Sequence, residues 1–168
     1  MGLGAGTTTY EVAFDGASAR IRGIRCAGAG VAIWKRTDNG RLRLIMRAWL
    51  ALPEGTTALV AEAQACRLAL QTLMAIGLGI RTARVMGDNP IIINHGGNSR
   101  NTRDPAIADI LDRTLAGVAQ AGWSLRWSWI DRRANLTAHS TARVGARQAR
   151  LLYDVLGGPR QGRLTGLV

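Results

Sequence analysis

The stretch GAGVAIWKRTDNGRLRLIMRAWL, Gly28 to Leu50, decides the fold class. Gly28 to Trp34 is an apolar run of strand length, and Arg41 to Leu50 alternates as a half-covered strand does. Between them Thr37-Asp38-Asn39-Gly40 carries an Asn-Gly pair, whose tolerance of positive φ suits a tight hairpin. The two runs are predicted to be antiparallel neighbours. Upstream, Tyr10 to Asp15 alternates and meets Asp15-Gly16, a turn-forming pair, so a first strand is predicted to stop there. Three consecutive antiparallel strands result.

Downstream the hydrophobic period changes. Thr57 to about Ile76 is rich in Ala, Leu, Glu and Gln at helical spacing and is ended by Gly77 and Gly79. Thr82 to Gly87 is predicted as a short fourth strand closed by Asp88-Asn89-Pro90, with a brief helical turn over Pro90 to Asn94 and a loop from His95 to Arg103. Helical spacing returns from Pro105 to Ala121, Trp123 to Ile130 alternates as a fifth strand, and a last helix runs from Asn135 to around Val155. The order β-β-β-α-β-α-β-α implies an α/β fold. Its five-stranded mixed sheet has three antiparallel strands and then two parallel ones, joined by right-handed crossovers and flanked by helices. A length of 168 residues fits a single domain, 1–168, with a core over about 9–156 and a flexible tail at 157–168.

The formal net charge is +11 and Lys35 is the only lysine, so the positive charge is carried by arginine. Such a surface attracts polyanions and gains further from counterion release at phosphates, which makes nucleic acid the leading partner. An arginine-rich and alanine-rich composition would raise the charge without any such partner, and charge alone does not separate the two. The arginines are scattered rather than set on one amphipathic face, and no apolar run approaches the roughly 18 to 20 residues of a membrane span. Met1 to Thr9 lacks the basic start of a signal peptide. A soluble, cytoplasmic protein without a membrane partner is expected. Cys26 and Cys66, with neither CxxC spacing nor a disulfide framework, are expected as free thiols, which argues against structural zinc.

Glu62 is the most informative single residue. Leu59, Glu62, Cys66, Ala69 and Leu73 share one helical stripe, so a carboxylate stands in line with core-facing side chains. Burying it ionised costs several kcal/mol unless it is paired, protonated or bound to a cation. One of the many arginines could pair with it. Asp15 and Asp88 stand at the predicted ends of the first and fourth strands, where ligands collect in α/β sheets. Asp-Gly and Asp-Asn-Pro are also ordinary turn formers, so it is the joint placement of three acids at one rim that suggests a site.

Phe14-Asp15-Gly16-Ala17-Ser18 with Ala29 to Ile33 resembles the first two strands of ribonuclease H, and Ala61-Glu62-Ala63 resembles its second motif. Val85-Met86-Gly87-Asp88-Asn89 is similar to the third. Ile130 to Ala142, with Arg132, Asn135 and Ala138 leading to His139, is similar to the stretch ending in the last acidic residue. The resemblance covers roughly residues 9 to 147 in matching order. It implies a ribonuclease H-like fold and hydrolysis of the RNA strand of RNA/DNA hybrids with two divalent cations, Mg²⁺ or Mn²⁺. Asp15 would bridge the ions, Glu62 and Asp88 would complete one site, and His139 would serve the other. Substrate contacts are expected from Gly16, Ser18, Thr56, Thr57, Asn89, Arg132 and Asn135, with a phosphate grip from Arg100, Arg103, Arg132 and Arg133.

One departure from the family pattern is His139, where Asp is usual. An imidazole removes one negative charge and is a softer donor, so Mn²⁺ is expected to serve better than Mg²⁺. A catalytically weakened hybrid- or duplex-binding module of a replication or reverse-transcription assembly is the alternative. A 3′-to-5′ exonuclease of the same general fold would need an acid where Ala17 stands, and a junction resolvase stays open. Trp123, Leu125, Trp127 and Trp129 share a face of the fifth strand and are expected to pack under a helix rather than stack on bases. Asp104, Asp109 and Asp112 are read as helix-start and surface acids, and His95 as a loop residue.

Overall fold

The first two strands are long and continuous in the structure, a computed structural model that describes residues 9–77, 81–99 and 102–156. Strand β1 (Tyr10–Ile21) pairs antiparallel with β2 (Ile24–Arg36), from Tyr10 opposite Lys35 to Ile21 opposite Ile24. Arg22 and Gly23, at φ 51° and 83°, form the two-residue turn between them. β2 pairs antiparallel with the edge strand β3 (Leu42–Leu52) through the predicted hairpin, where Gly40 takes φ 80°. Helix α1 (Ala58–Ile76), capped by Thr57, leads to β4 (Thr82–Gly87), which lies parallel to β1. A short helix α2 (Pro90–Asn94), a π-helical turn His95–Ser99 and helix α3 (Pro105–Gln120) lead to β5 (Ser124–Trp129), parallel to β4. A 3-10 turn, Arg132–Ala134, enters helix α4 (Leu136–Leu156). The sheet order β3-β2-β1-β4-β5 is the expected mixed sheet, three antiparallel strands and then two parallel ones.

Alternation along β1 divides the core. Val12 and Phe14 join Val31, Ile33, Leu70, Leu73, Val85 and Ile107 in the main cluster beneath α1 and α3. Ala13, on the other face, meets Met86 and Ala138 beneath α4. Close approach of α4 requires glycine on β2: a Cβ at Gly28 would lie 2.2 Å from the Ala146 amide nitrogen, and one at Gly30 would lie 2.1 Å from that of Ala142.

Several expectations need correction. β1 does not stop at Asp15-Gly16; Gly16 is an ordinary ladder residue opposite Ala29. A Cβ at Gly16 would lie 2.3 Å from the Glu62 amide nitrogen, and one at Gly87 would lie 2.6 Å from the Phe14 ring, so both glycines serve packing rather than turns. Part of the predicted loop at His95 to Arg103 is the π-helical turn, and His95 is buried in it. By length and composition α1 is apolar enough to cross a membrane, contrary to expectation, but Ala61, Ala65, Cys66, Ala69, Leu70 and Leu73 are packed into the main cluster. Gly79, Arg100 and the tail 157–168 lie outside the described residues.

Candidate active site

Pairing between β1 and β4 ends at Ala13 opposite Met86, while β1 runs on to Ile21 beside β2. Asp15 therefore stands just past the last β4 pair, next to the strand end that carries Asp88. The missing Cβ at Gly16 admits the first turn of α1 and with it Glu62. Asp15, Glu62 and Asp88 each offer a carboxylate oxygen within 4.8 Å of the others. The three predicted acids are brought together, although 73 residues separate the first from the last (88 minus 15).

His139 arrives from α4. Its Nδ1 lies 2.6 Å from Asp15 Oδ2, with the imidazole partly exposed and the carboxylate buried. Asn135 sets this placement. Its Nδ2 donates to the Phe14 carbonyl at 2.9 Å, one residue from Asp15, and its own carbonyl accepts from the His139 amide at 3.0 Å. Buried to 1 % exposure, Asn135 positions the start of α4 against β1.

The electrostatics of the cluster are unfavourable as it stands. Burial first, and then repulsion from Asp15 and Asp88, pushes the Glu62 carboxyl up to about 9. Burial also raises Asp15, with the Asp88 charge adding to it, against the lowering effect of the His139 hydrogen bond. Glu62 Oε2 is buried without a hydrogen-bond partner. Among the described residues no arginine or lysine makes a salt bridge to any of the three acids, which removes the simplest structural reading of Glu62. Converging hard oxygen donors, one of them orphaned, fit a divalent cation of the Mg²⁺ type, and the imidazole beside Asp15 offers a softer donor next to them.

The candidate substrate residues surround this rim in different ways. Ser18 Oγ donates to the Thr56 carbonyl at 3.3 Å, and Thr56 Oγ1 donates to the Pro53 carbonyl at 2.6 Å. Thr57 is exposed and its Oγ1 accepts from the Val60 amide at 3.4 Å as the cap of α1. Asn89 caps α2 through Oδ1, which accepts from the Ile91 amide at 3.0 Å. Arg103, Arg132 and Arg133 are exposed. Asp104 caps α3 and Asp109 pairs with Arg113, as surface acids do, whereas Asp112 accepts from or donates to His95 Nε2 at 2.9 Å.

Sequence reasoning missed Trp129. Trp123 is buried and Leu125 and Trp127 pack against the core as expected, but Trp129 is 55 % exposed. Its indole N–H donates to the Asp88 carbonyl at 3.1 Å. The signal available was position: it is the last residue of an alternating strand, beyond the reach of the helix that covers the rest.

The family described as reverse transcriptase-like matches residues 13–145. No curated protein matches the sequence significantly. Among solved structures the chain is similar to LC11-RNase H1, obtained from compost by a metagenomic approach and solved in complex with an RNA/DNA hybrid. That likeness has 21 % identity, covers 84 % of this chain and 99 % of that one, and gives a TM-score of 0.69. The N-terminal RNase H domain of a Mycobacterium tuberculosis protein is similar at 16 % identity, covering 84 % and 97 % with a TM-score of 0.67. RNase H1 from the halophilic archaeon Halobacterium salinarum is similar at 20 % identity, covering 83 % and 98 % with a TM-score of 0.61.

Proposed function

The chain belongs to the reverse transcriptase-like family and carries the ribonuclease H fold, and from that premise we propose that it is an endoribonuclease that hydrolyses the RNA strand of RNA/DNA hybrids. The observation that carries the reading is the cluster of Asp15, Glu62 and Asp88, whose carboxylate oxygens lie within 4.8 Å of one another and which, among the described residues, no arginine or lysine pairs with. Asp15, Glu62, Asp88 and His139 are the proposed metal-holding residues. Two divalent ions held there would supply an activated water and charge stabilisation at the leaving oxygen of the phosphodiester.

The protein's own part is positioning. Asn135 fixes α4 to β1, so that His139 meets Asp15 rather than solvent. Gly16 brings the Glu62 carboxylate to the same rim, and the carbonyl of Asp88 is tied by Trp129. Ser18, Thr56, Thr57 and Asn89 stand next to these elements with hydroxyl or amide groups able to meet a ribose 2′-OH or a phosphate, and Arg132 and Arg133, exposed in the turn that enters α4, are the proposed phosphate contacts.

Cleavage of a labelled RNA/DNA hybrid with Mg²⁺ or Mn²⁺ tests the proposal. Cleavage by the parent chain and its loss in Asp15→Asn are expected. His139→Asp adds a hard, charged donor, and the ratio of the Mn²⁺ rate to the Mg²⁺ rate is expected to fall in that variant. Retention of the hybrid without products under both ions would instead favour a binding module, and an unchanged metal ratio in His139→Asp would remove His139 from the metal-holding set.

A further inference from the structure

Along one face of β5 the side chains are covered in turn until the last. Trp123 is packed into the main cluster, and the π-helical turn lies on Trp127, where a Cβ at Gly96 would come within 2.5 Å of the ring. Trp129 follows on the same face and is left 55 % exposed. Its position is nevertheless fixed. It stands opposite Gly87 in the β4–β5 ladder, the next residue donates its amide to the Gly87 carbonyl at 3.0 Å, and the indole N–H is committed to the Asp88 carbonyl at 3.1 Å. The only polar atom of the side chain is thus satisfied by the protein, and what it offers to solvent is an aromatic surface beside one of the three clustered acids.

We propose that Trp129 is a substrate-contacting residue, whose indole surface packs against the sugar of a nucleotide bordering the phosphate that the acids address. A sugar is the better fit than a base, because bases in a duplex are already stacked on each other while sugar C–H groups line its outer surface. The contact is sequence-neutral, and it sets how the strand lies across the acids rather than which base is present. This inference rests on the hybrid-cleaving reading.

Hybrid binding is measured by anisotropy of a short fluorescein-labelled RNA/DNA duplex in the Asp15→Asn background with Mg²⁺, so that no cleavage intervenes. Trp129→Leu is expected to weaken binding about tenfold and Trp129→Phe by no more than about twofold, since Phe keeps an aromatic face, though a smaller one that lacks the N–H. In the otherwise unaltered chain the same change to Leu is expected to raise KM with kcat little altered. Trp129 is exposed, so neither substitution opens the core, and circular dichroism checks the fold of each. Equal binding by the parent and Trp129→Leu would overturn the proposal. So would a matching loss in Phe and Leu confined to kcat, which would mean that the residue acts only by holding Asp88. Absence of both binding and cleavage by the parent would overturn the hybrid-cleaving reading and this inference together, whereas cleavage by the parent with Trp129 indifferent would overturn this inference alone.

Discussion

At Glu62 a single carboxyl links stability to pH. The folded chain holds its proton up to about 9, while the unfolded chain releases it near the ordinary value of 4.5. Across that interval the folded state binds more protons than the unfolded one, so the metal-free protein loses stability as pH rises. Asp15, also raised, contributes in the same direction. The midpoint of thermal unfolding in EDTA is therefore expected to fall from about pH 6 to about pH 8.5, and Glu62→Gln to flatten the slope, because an amide has no proton to release. Divalent cations compete with that proton, so added Mn²⁺ should raise the midpoint more at the higher pH. A metal-free midpoint that rises with pH, or one whose slope survives Glu62→Gln, would show that another group governs the dependence. The sequence placed Glu62 on a core-facing stripe and so foretold a carboxyl in trouble. It could not tell that, among the described residues, no arginine pairs with it, since that depends on where residues distant along the chain are folded.

The elements themselves were legible because the period of the apolar residues switches cleanly between strand and helix, and α1, β4 and α3 fall within a residue or so of where the spacing puts them. The misreadings concern glycines and strand ends. Gly16 and Gly87 stand beside acids and looked like turn residues, yet each is required by a neighbour from a remote segment, Glu62 for one and Phe14 for the other. Glycine has no side chain to announce what it touches. The distinction can be measured with two substitutions of opposite expected sign. Gly30→Ala forces a methyl to within 2.1 Å of the α4 backbone at Ala142, whereas a Cβ at Gly117, inside α3, meets nothing within 4 Å. Overpacking should cost Gly30→Ala about 1–3 kcal/mol or more, since helix backbone cannot swing aside as a side chain can. Gly117→Ala should gain about 0.5–1 kcal/mol from lower chain entropy in the unfolded state and better helix propensity. Urea denaturation of the two variants checks both, and a Gly30→Ala protein as stable as the parent would mean that α4 rides higher on the sheet than described. α4 carries His139, so a displaced α4 would also loosen the contact with Asp15.

For the molecule as a whole the question is whether the net charge of +11 is organised or merely compositional. Composition alone distributes arginines without regard to the acidic rim, and every exposed arginine would then contribute alike to binding a polyanion. An organised surface makes those nearest the rim contribute more. Arg132 and Arg133 lie in the turn that enters α4, seven and six residues before His139 (139 minus 132 and minus 133), and both are exposed. Arg143 and Arg147, also exposed, lie progressively farther along α4 toward the β1–β2 turn, where Arg150 reaches the Ile21 carbonyl. Each phosphate contact releases condensed counterions, so the slope of log affinity against log salt counts contacts rather than charges. Replacing Arg132 and Arg133 together by alanine is expected to reduce the magnitude of that slope by roughly two for hybrid binding, while Arg147→Ala changes it by much less. Measured binding across a salt series decides the matter. Equal reductions per arginine at all three positions would make the charge a diffuse attractor, and the orientation of a substrate over Asp15, Glu62 and Asp88 would then have to come from uncharged contacts at the rim, with Trp129 and the hydroxyls of Ser18 and Thr57 the groups left to provide it.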